Sequence, residues 1–251
     1  MTRTFKDYFS EHAAEYAKHR PRYPDRLFDW LATLVQERQQ AWDCATGNGQ
    51  AACALASRFD CVIATDASEK QIKCAAPNQR VVYRVAPEEQ SGIASRTVDL
   101  VTVAQAVHWF DLEKFYQEVR RVVKPQGVLA VWCYDLFRIS PEMDRLLSEF
   151  YGNTVGPYWP PERRWVEDGY RSLPFPFEEI IAPAFEMTVT WPLQAVLDYL
   201  RTWSATQRYL QEKSSDPVEQ LQGSLERAWG DSKNPKDVTW VLHLRVGKIA
   251  A

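Results

Sequence analysis

Asp43-Cys-Ala-Thr-Gly-Asn-Gly-Gln50 is the stretch on which the reading of this chain turns. It closes a short β-prone run, residues 41–45, and opens a helical stretch, residues 50–58. Gly47 and Gly49 let the backbone turn tightly and approach a ligand where a Cβ would intrude. The helix that follows begins with free N–H groups and a partial positive charge. Asp66 stands at the end of the next β-prone run, residues 61–65, where a carboxylate can accept two hydrogen bonds from a ribose diol. An ordinary strand-to-helix turn can hold two glycines as well. The acid ending the second strand favours the nucleotide reading. The turn lacks the third glycine of G-x-G-x-x-G, so it has no pyrophosphate to cradle, and an adenosyl ligand without phosphates suits it better.

Outward from this turn, short β-prone runs alternate with helical stretches. The runs are 41–45, 61–65, Val81–Val85, Val98–Ala104 and 127–134; the helical stretches include 50–58, 68–76 and 112–123. Such alternation predicts a parallel sheet with right-handed crossovers. Strands buried on both faces should be apolar throughout, and Val98-Asp-Leu-Val-Thr-Val-Ala104 nearly is. On the amino side, Phe5, Tyr8, Phe9 and Ala13 repeat at helical spacing. Arg20-Pro-Arg-Tyr-Pro24 breaks that helix, and Asp25 caps a second one through Leu27, Leu31 and Leu34.

On the carboxyl side the alternation stops after Tyr134. Residues 136–177 read as an inserted lid of irregular loops, and Phe185–Trp191 alternates as a strand with one exposed face. A helical stretch over 193–229 is interrupted near Ser214-Ser-Asp-Pro217, and residues 238–246 form a last strand. The expected organisation is one domain over 1–251. It comprises an N-terminal cap (1–40), a cofactor-binding core (41–135), an insertion or lid (136–180), and final strands with a helical insertion (181–251).

Bulk composition narrows the function. With 251 residues and 45% of them hydrophobic, the chain can bury one sizeable core. A formal charge of −3 offers no basic field for a nucleic-acid backbone. No long apolar run or secretory leader is evident, so a cytoplasmic protein without a membrane partner is expected, as a monomer or homodimer. The five cysteines form no CxxC pair and read as small buried hydrophobes in a reducing compartment. Ten Trp and eleven Tyr cluster outside the sheet segments, which suits an apolar pocket with polar handles as well as a packed lid.

The motifs together resemble a class I S-adenosylmethionine-dependent methyltransferase of the methyltransferase type 11 family, in the branch that includes trans-aconitate methyltransferases. The resemblance runs through Tyr16 with Arg20-Pro-Arg-Tyr-Pro24, the turn 43–50, Thr65-Asp-Ala-Ser-Glu-Lys-Gln-Ile72 and Ala86-Pro-Glu-Glu89. It continues through Val98-Asp-Leu-Val101, Ala104-Gln-Ala-Val-His-Trp-Phe-Asp111, Arg121-Val-Val-Lys-Pro-Gln-Gly127 and Tyr199-Leu-Arg-Thr-Trp-Ser204. It implies a Rossmann-like seven-stranded sheet with helices on both faces, its last strand antiparallel, an N-terminal helical cap and C-terminal helical insertions.

The resemblance also implies S-adenosyl-L-methionine as cofactor. Asp43, Ala45, Gly47 and Gly49 would lie around its methionine part and Asp66 on the ribose, with Ala67 and Gln71 also at the cofactor. Glu88 and Glu89 would lie at the adenine, Ala104 and Gln105 after the fourth strand, and Tyr16 and Arg20 in the cap above. Two positions depart from the pattern. Ala45 replaces a first glycine, and Pro87 replaces an acid that accepts from the adenine amino group.

Methyl transfer is an in-line displacement that rests largely on alignment and desolvation. A carboxylate acceptor is already ionised at neutral pH, whereas an amine or hydroxyl must lose a proton to a base. His108, just past the fourth strand, is the candidate catalytic group, as base or hydrogen-bond donor; it could equally pack against Trp109. His12, His19 and His243 read as structural. Tyr23, Trp109, Tyr158, Trp159, Tyr199 and Trp203 join His108 as candidates for the acceptor pocket, with Tyr209 near them. Arg20, Arg163, Arg164 and Arg201 could pair with an acidic substrate. The expected activity is methylation of a small molecule, a carboxylate by resemblance. The alternatives are an N- or O-methyltransferase of an aromatic or heterocyclic intermediate, and a non-catalytic protein that binds the cofactor. A nucleic-acid enzyme would want an Asn/Asp-Pro-Pro-aromatic motif after the fourth strand; Ala104-Gln-Ala-Val-His-Trp109 stands there instead.

Overall fold

A computed structural model describes residues 21–249. The Tyr16, Arg20, His12 and His19 expectations, and the first helix, lie outside the described residues. The strands are β1 (Gln40–Cys44), β2 (Cys61–Asp66), β3 (Val81–Val85), β4 (Val98–Ala104), β5 (Val123–Cys133), β6 (Glu178–Glu179), β7 (Phe185–Trp191) and β8 (Lys236–Lys248). They form one sheet in the order β3-β2-β1-β4-β5-β8-β6, with β7 paired to the first half of β8. Strands β1 to β5 pair in parallel, and β8 runs against β5, β6 and β7. The expected seven-stranded arrangement with an antiparallel last strand is present, its outer position shared by the short β6 and by β7.

Alternation along the strands sorts the side chains between two faces. In β5, Val128, Ala130 and Trp132 enter one buried cluster, while Leu129, Val131 and Cys133 enter the other. Helices α1 (Asp25–Thr33) and α2 (Gln50–Leu55) cover the first face. Helix α4 (Leu112–Val122) covers the second with Phe115, Tyr116, Val119 and Val122, and the Asp111 carboxylate caps it by accepting from the N–H of Lys114. Helix α3 (Glu69–Lys73) is shorter than expected; Ser68 Oγ caps it, accepting from the N–H of Gln71. At α1 the cap position is Pro24, and Asp25 is the first helical residue, placed to favour the helix dipole without capping it.

The segment after β5 is more regular than its Pro and aromatic content suggests. It contains α5 (Pro141–Glu149), a single π turn over Phe150–Thr154 and α6 (Arg163–Glu167). Pro141 sits in the first turn of α5, where its missing N–H costs nothing. The 193–229 stretch breaks twice, giving α7 (Leu193–Arg201), α8 (Ser204–Lys213) and α9 (Pro217–Trp229). The second break matches expectation: Ser214 turns left-handed (φ 54°), and the Asp216 side chain accepts from the N–H of Val218. The first break, at Thr202 and Trp203, has no Pro or Gly to announce it.

Cys44 and Cys133 are buried, whereas Cys53 and Cys61 are half-buried and Cys74 is exposed, so only two of the five are core hydrophobes. Among the described residues no helix is long and apolar enough to cross a membrane.

Strand order reverses between β1 and β4, which opens a crevice at the carboxyl ends of the strands. The turn after β1, the end of β2 and the segment after β4 all face that rim.

Candidate active site

The turn after β1 is held open by its own hydrogen bonds. Asp43 is buried; its Oδ1 accepts from Thr102 Oγ1 at 2.7 Å and its Oδ2 from Thr46 Oγ1 at 2.5 Å. Burial raises its carboxyl to about 6 against the pull of those hydroxyls. Ala45, Gly47 and Gly49 all adopt left-handed conformations, at φ 54°, 56° and 84°. Ala45 therefore carries the strain that a glycine would avoid, of order 1–2 kcal/mol.

The two glycines serve different ends. A Cβ on Gly49 would fall inside the Tyr83 hydroxyl, so Gly49 makes room for protein. A Cβ on Gly47 would meet only Gln71 Oε1, at 3.9 Å, so Gly47 faces open space beside the rim. Asp66 Oδ2 accepts from the N–H of Gly47 and its Oδ1 from the N–H of Ser68, which fixes the carboxylate at the end of β2. Gln71 is buried beside it, and the Ala86 N–H donates to the carbonyl of Asp66. That bond draws the 86–89 loop to the same edge; burial pushes the Cys44 thiol up, and the Glu88 charge adds to it. Asp43, Ala45, Gly47, Asp66 and Gln71 thus lie together where β1 and β2 end, with the loop that carries Glu88 drawn to the same edge.

The cap reaches this crevice through Gln50, the first residue of α2. Its Oε1 accepts from the Tyr23 N–H and its Nε2 donates to the Pro21 carbonyl, each at 3.2 Å. The Tyr23 ring stands edge-on to Trp132, 5.4 Å between centroids.

Beyond β4 lies a second hollow. Ala104 ends the strand, and Gln105 follows at φ 57°. The Gln105 side chain pairs with the Tyr134 main chain, its Nε2 donating to the carbonyl and its Oε1 accepting from the N–H. Gln105 was expected at the cofactor; its amide is instead spent on fastening the ends of β4 and β5, although the residue still lines the hollow. His108, Trp109, Trp159, Tyr199 and Trp203, candidates for the acceptor pocket, also line it. Tyr158 does not: its ring packs on Tyr209 at 5.1 Å and its hydroxyl donates to Glu212. Of the arginines, Arg201 is engaged by Asp198 and Asp216, and Arg164 lies over the Trp165 ring. Arg163 reaches the hollow.

His108 is 5% exposed, with its ring 4.7 Å from Trp109 and its Nδ1 2.8 Å from the Tyr170 hydroxyl. Burial, aided by the Arg163 charge, pulls its pKa down to about 3, so the ring is neutral at pH 7. Burial also pushes the Tyr170 phenol well above its ordinary range. A buried hydroxyl needs an acceptor, and donation from Tyr170 to His108 Nδ1 would satisfy it. The proton of the imidazole is then on Nε2.

Sequence reasoning missed Tyr134, Asp135, Pro160 and Ser204 in the lining, and Tyr170 behind it. Tyr170 came from a stretch read as loop, at φ 62°, with no local signal. His243 stands 3.8 Å from Asp135, a partner the sequence did not indicate.

Comparison with known proteins bears on the fold and the family. Residues 42–131 match the family described as "Methyltransferase domain". A Dictyostelium discoideum protein bearing a methyltransferase name is 32% identical over 91% of this chain and 90% of its own length. A solved structure from Anaeromyxobacter dehalogenans, described as a type II methyltransferase, superimposes with a TM-score of 0.87. It is 44% identical, over 92% of this chain and 98% of that one. A Saccharomyces cerevisiae protein named as an S-adenosylmethionine-dependent methyltransferase is 30% identical over 52% of this chain and 46% of its own.

Proposed function

This chain belongs to the class I S-adenosylmethionine-dependent methyltransferases, and we propose that its acceptor is a small molecule methylated on a carboxylate. When bound, S-adenosylmethionine supplies a methyl group on a sulfonium centre, ready for in-line displacement. The residues present fit that cofactor. Gly47 leaves open space where a side chain would stand, and the fixed Asp66 carboxylate suits a ribose diol. In this reading Asp43, Ala45, Gly47 and Gly49 enclose the methionine end. Asp66, Ala67 and Gln71 hold the ribose, the backbone at Glu88 and Glu89 meets the adenine, and Ala104 walls the site. Tyr23, tied down through Gln50, excludes water from above.

One observation carries the choice of acceptor. His108 is neutral and keeps its proton on the nitrogen that Tyr170 does not occupy, so it donates and takes no proton at neutral pH. The Tyr170 and Tyr151 phenols are held protonated by burial. Asp135, the carboxylate of the lining, lies toward His243, and a carboxylate is a weak base for an alcohol or an ammonium group. An acceptor that arrives ionised needs none of them.

The aromatic walls, Trp109, Trp159, Tyr199 and Trp203, favour a flat acceptor and keep a heteroaromatic amine or phenol as the second reading. Incubation with methyl-labelled S-adenosylmethionine and a panel of short carboxylic acids, heteroaromatic amines and phenols separates the two. Label recovered as a base-labile ester is expected. Label on nitrogen or phenolic oxygen alone would overturn the carboxylate reading.

A further inference from the structure

Arg163 is anchored in a way that the other site arginines are not. Its Nε donates to the Tyr151 hydroxyl at 2.8 Å, and that hydroxyl donates to Glu167 Oε1 at 2.8 Å. Its guanidinium lies 4.5 Å from the centroid of Trp159 and 5.5 Å from that of Tyr151. The Glu167–Tyr151 pair therefore fixes the direction of the fork, and the rings fix its plane. No hydrogen bond or ion pair engages Nη1 or Nη2 among the described residues. By contrast, Arg58, Arg121, Arg201 and Arg245 each meet a carboxylate. A pre-oriented cation at a cavity wall with its outer edge unspent is poised for an anion. Among the described residues the Trp159 indole N–H beside it is buried without a partner, a second donor in the same wall.

We propose that Arg163 is the anchor for a carboxylate handle on the acceptor, with Trp159 Nε1 as a further donor, and that Tyr151 and Glu167 act as positioning residues behind it. The proposal rests on the reading of this cavity as the acceptor site. The held carboxylate is not the atom methylated: a guanidinium fork on both oxygens draws electron density from them and makes them poor nucleophiles. The acceptor thus carries a carboxylate at Arg163 and a separate nucleophile toward the cofactor. Phosphate fits less well, since the neighbouring Asp135 opposes a dianion and a two-donor edge matches two carboxylate oxygens.

The test uses the full chain saturated with S-adenosylhomocysteine and reads tryptophan fluorescence, because Trp159 lies against the fork. Benzoate and phthalate should quench and saturate, and benzamide, equal in shape and uncharged, should bind at least about tenfold more weakly. R163Q should lose the preference for benzoate while keeping the wild-type affinity for S-adenosylhomocysteine, and R163K should retain part of it. Y151F and E167Q should raise KM for the methylated acceptor several-fold with kcat little changed, which a general loss of folding would not do. Equal binding of benzoate and benzamide, no carboxylate binding at all, or undiminished benzoate preference in both R163Q and R163K would each overturn the proposal. Label found only on nitrogen in the panel above, with benzoate binding still dependent on Arg163, would sink the carboxylate-methylation reading and leave the handle standing.

Discussion

Asp66 Oδ2 accepts a 2.9 Å hydrogen bond from the main-chain N–H of Gly47, so the end of β2 and the turn after β1 form one unit before any ligand arrives. The same carboxylate accepts from Ser68 at 2.8 Å, where the next helix begins. A group expected to hold a ribose thus also builds the crevice it serves. Asp66→Ala should lower stability by about 1–3 kcal/mol by stripping partners from buried amides. It should also weaken S-adenosylhomocysteine binding by about tenfold or more through lost charge-assisted bonds. Urea unfolding and calorimetry on the same protein measure both, and wild-type values in both would refute the double role.

The glycines of the turn should separate under substitution. Gly49→Ala meets both a left-handed backbone and the Tyr83 hydroxyl, and should cost about 2–5 kcal/mol in stability. Tyr83→Phe in the same protein should recover part of that loss. Gly47→Ala has room for its methyl and should cost only about 1–2 kcal/mol, yet it should impair cofactor binding out of proportion. Thermal melts set beside binding isotherms decide the matter. Equal binding losses per unit of stability would show that both glycines serve packing alone.

Asp43 and His108 should drive stability in opposite directions over one pH range. The Asp43 pKa rises from 3.8 to about 6 on folding, so the folded state holds the proton more tightly and stability falls as pH climbs through that interval. The His108 pKa drops from 6.5 to about 3, so the folded state sheds its proton and stability rises over the overlapping interval, complete above 6.5. Relative to wild type, Asp43→Asn should steepen the gain of stability from pH 4 to 6, by up to about 3 kcal/mol. His108→Gln should turn the same segment downward. Parallel profiles for all three proteins in urea titrations would remove both buried groups from the account.

The core strands were legible because parallel strands buried on both faces are apolar without interruption, as Val98–Ala104 is. The turn at Gly47 was legible because left-handed backbone restricts residue type, and Asp66 because an acid at the end of β2 can tie that strand to the turn. The acceptor side was less so. Trp159 and Trp203 lie in the lining and Tyr158 does not, yet nothing in their neighbours distinguishes them, because which ring turns inward depends on α8 packing against the 156–158 turn. The partnership of Tyr170 with His108 spans 62 residues and joins the turn after α6 to the 3-10 turn past β4, so no local pattern encodes it. Gln105 read as a ligand residue because of its place after β4; its commitment to Tyr134 emerges only when β5 is alongside.

His108 should contribute a hydrogen bond and no proton transfer. With Nδ1 occupied by Tyr170 and a pKa near 3, its ring does not titrate between pH 6 and 8, so kcat/KM should show no inflection from it there. His108→Gln can present an amide N–H near the position of Nε2 and should keep activity within a few-fold. His108→Ala removes the donor and should lower kcat/KM by about tenfold, the cost of one hydrogen bond to a charged partner. Both variants should run parallel to wild type from pH 6 to 8. If the wild-type rate instead falls below an apparent pKa of 6 to 7 and that limb vanishes in His108→Gln, the imidazole is a base after all. The acceptor would then need a proton removed, and an amine or hydroxyl would replace the carboxylate as the atom methylated.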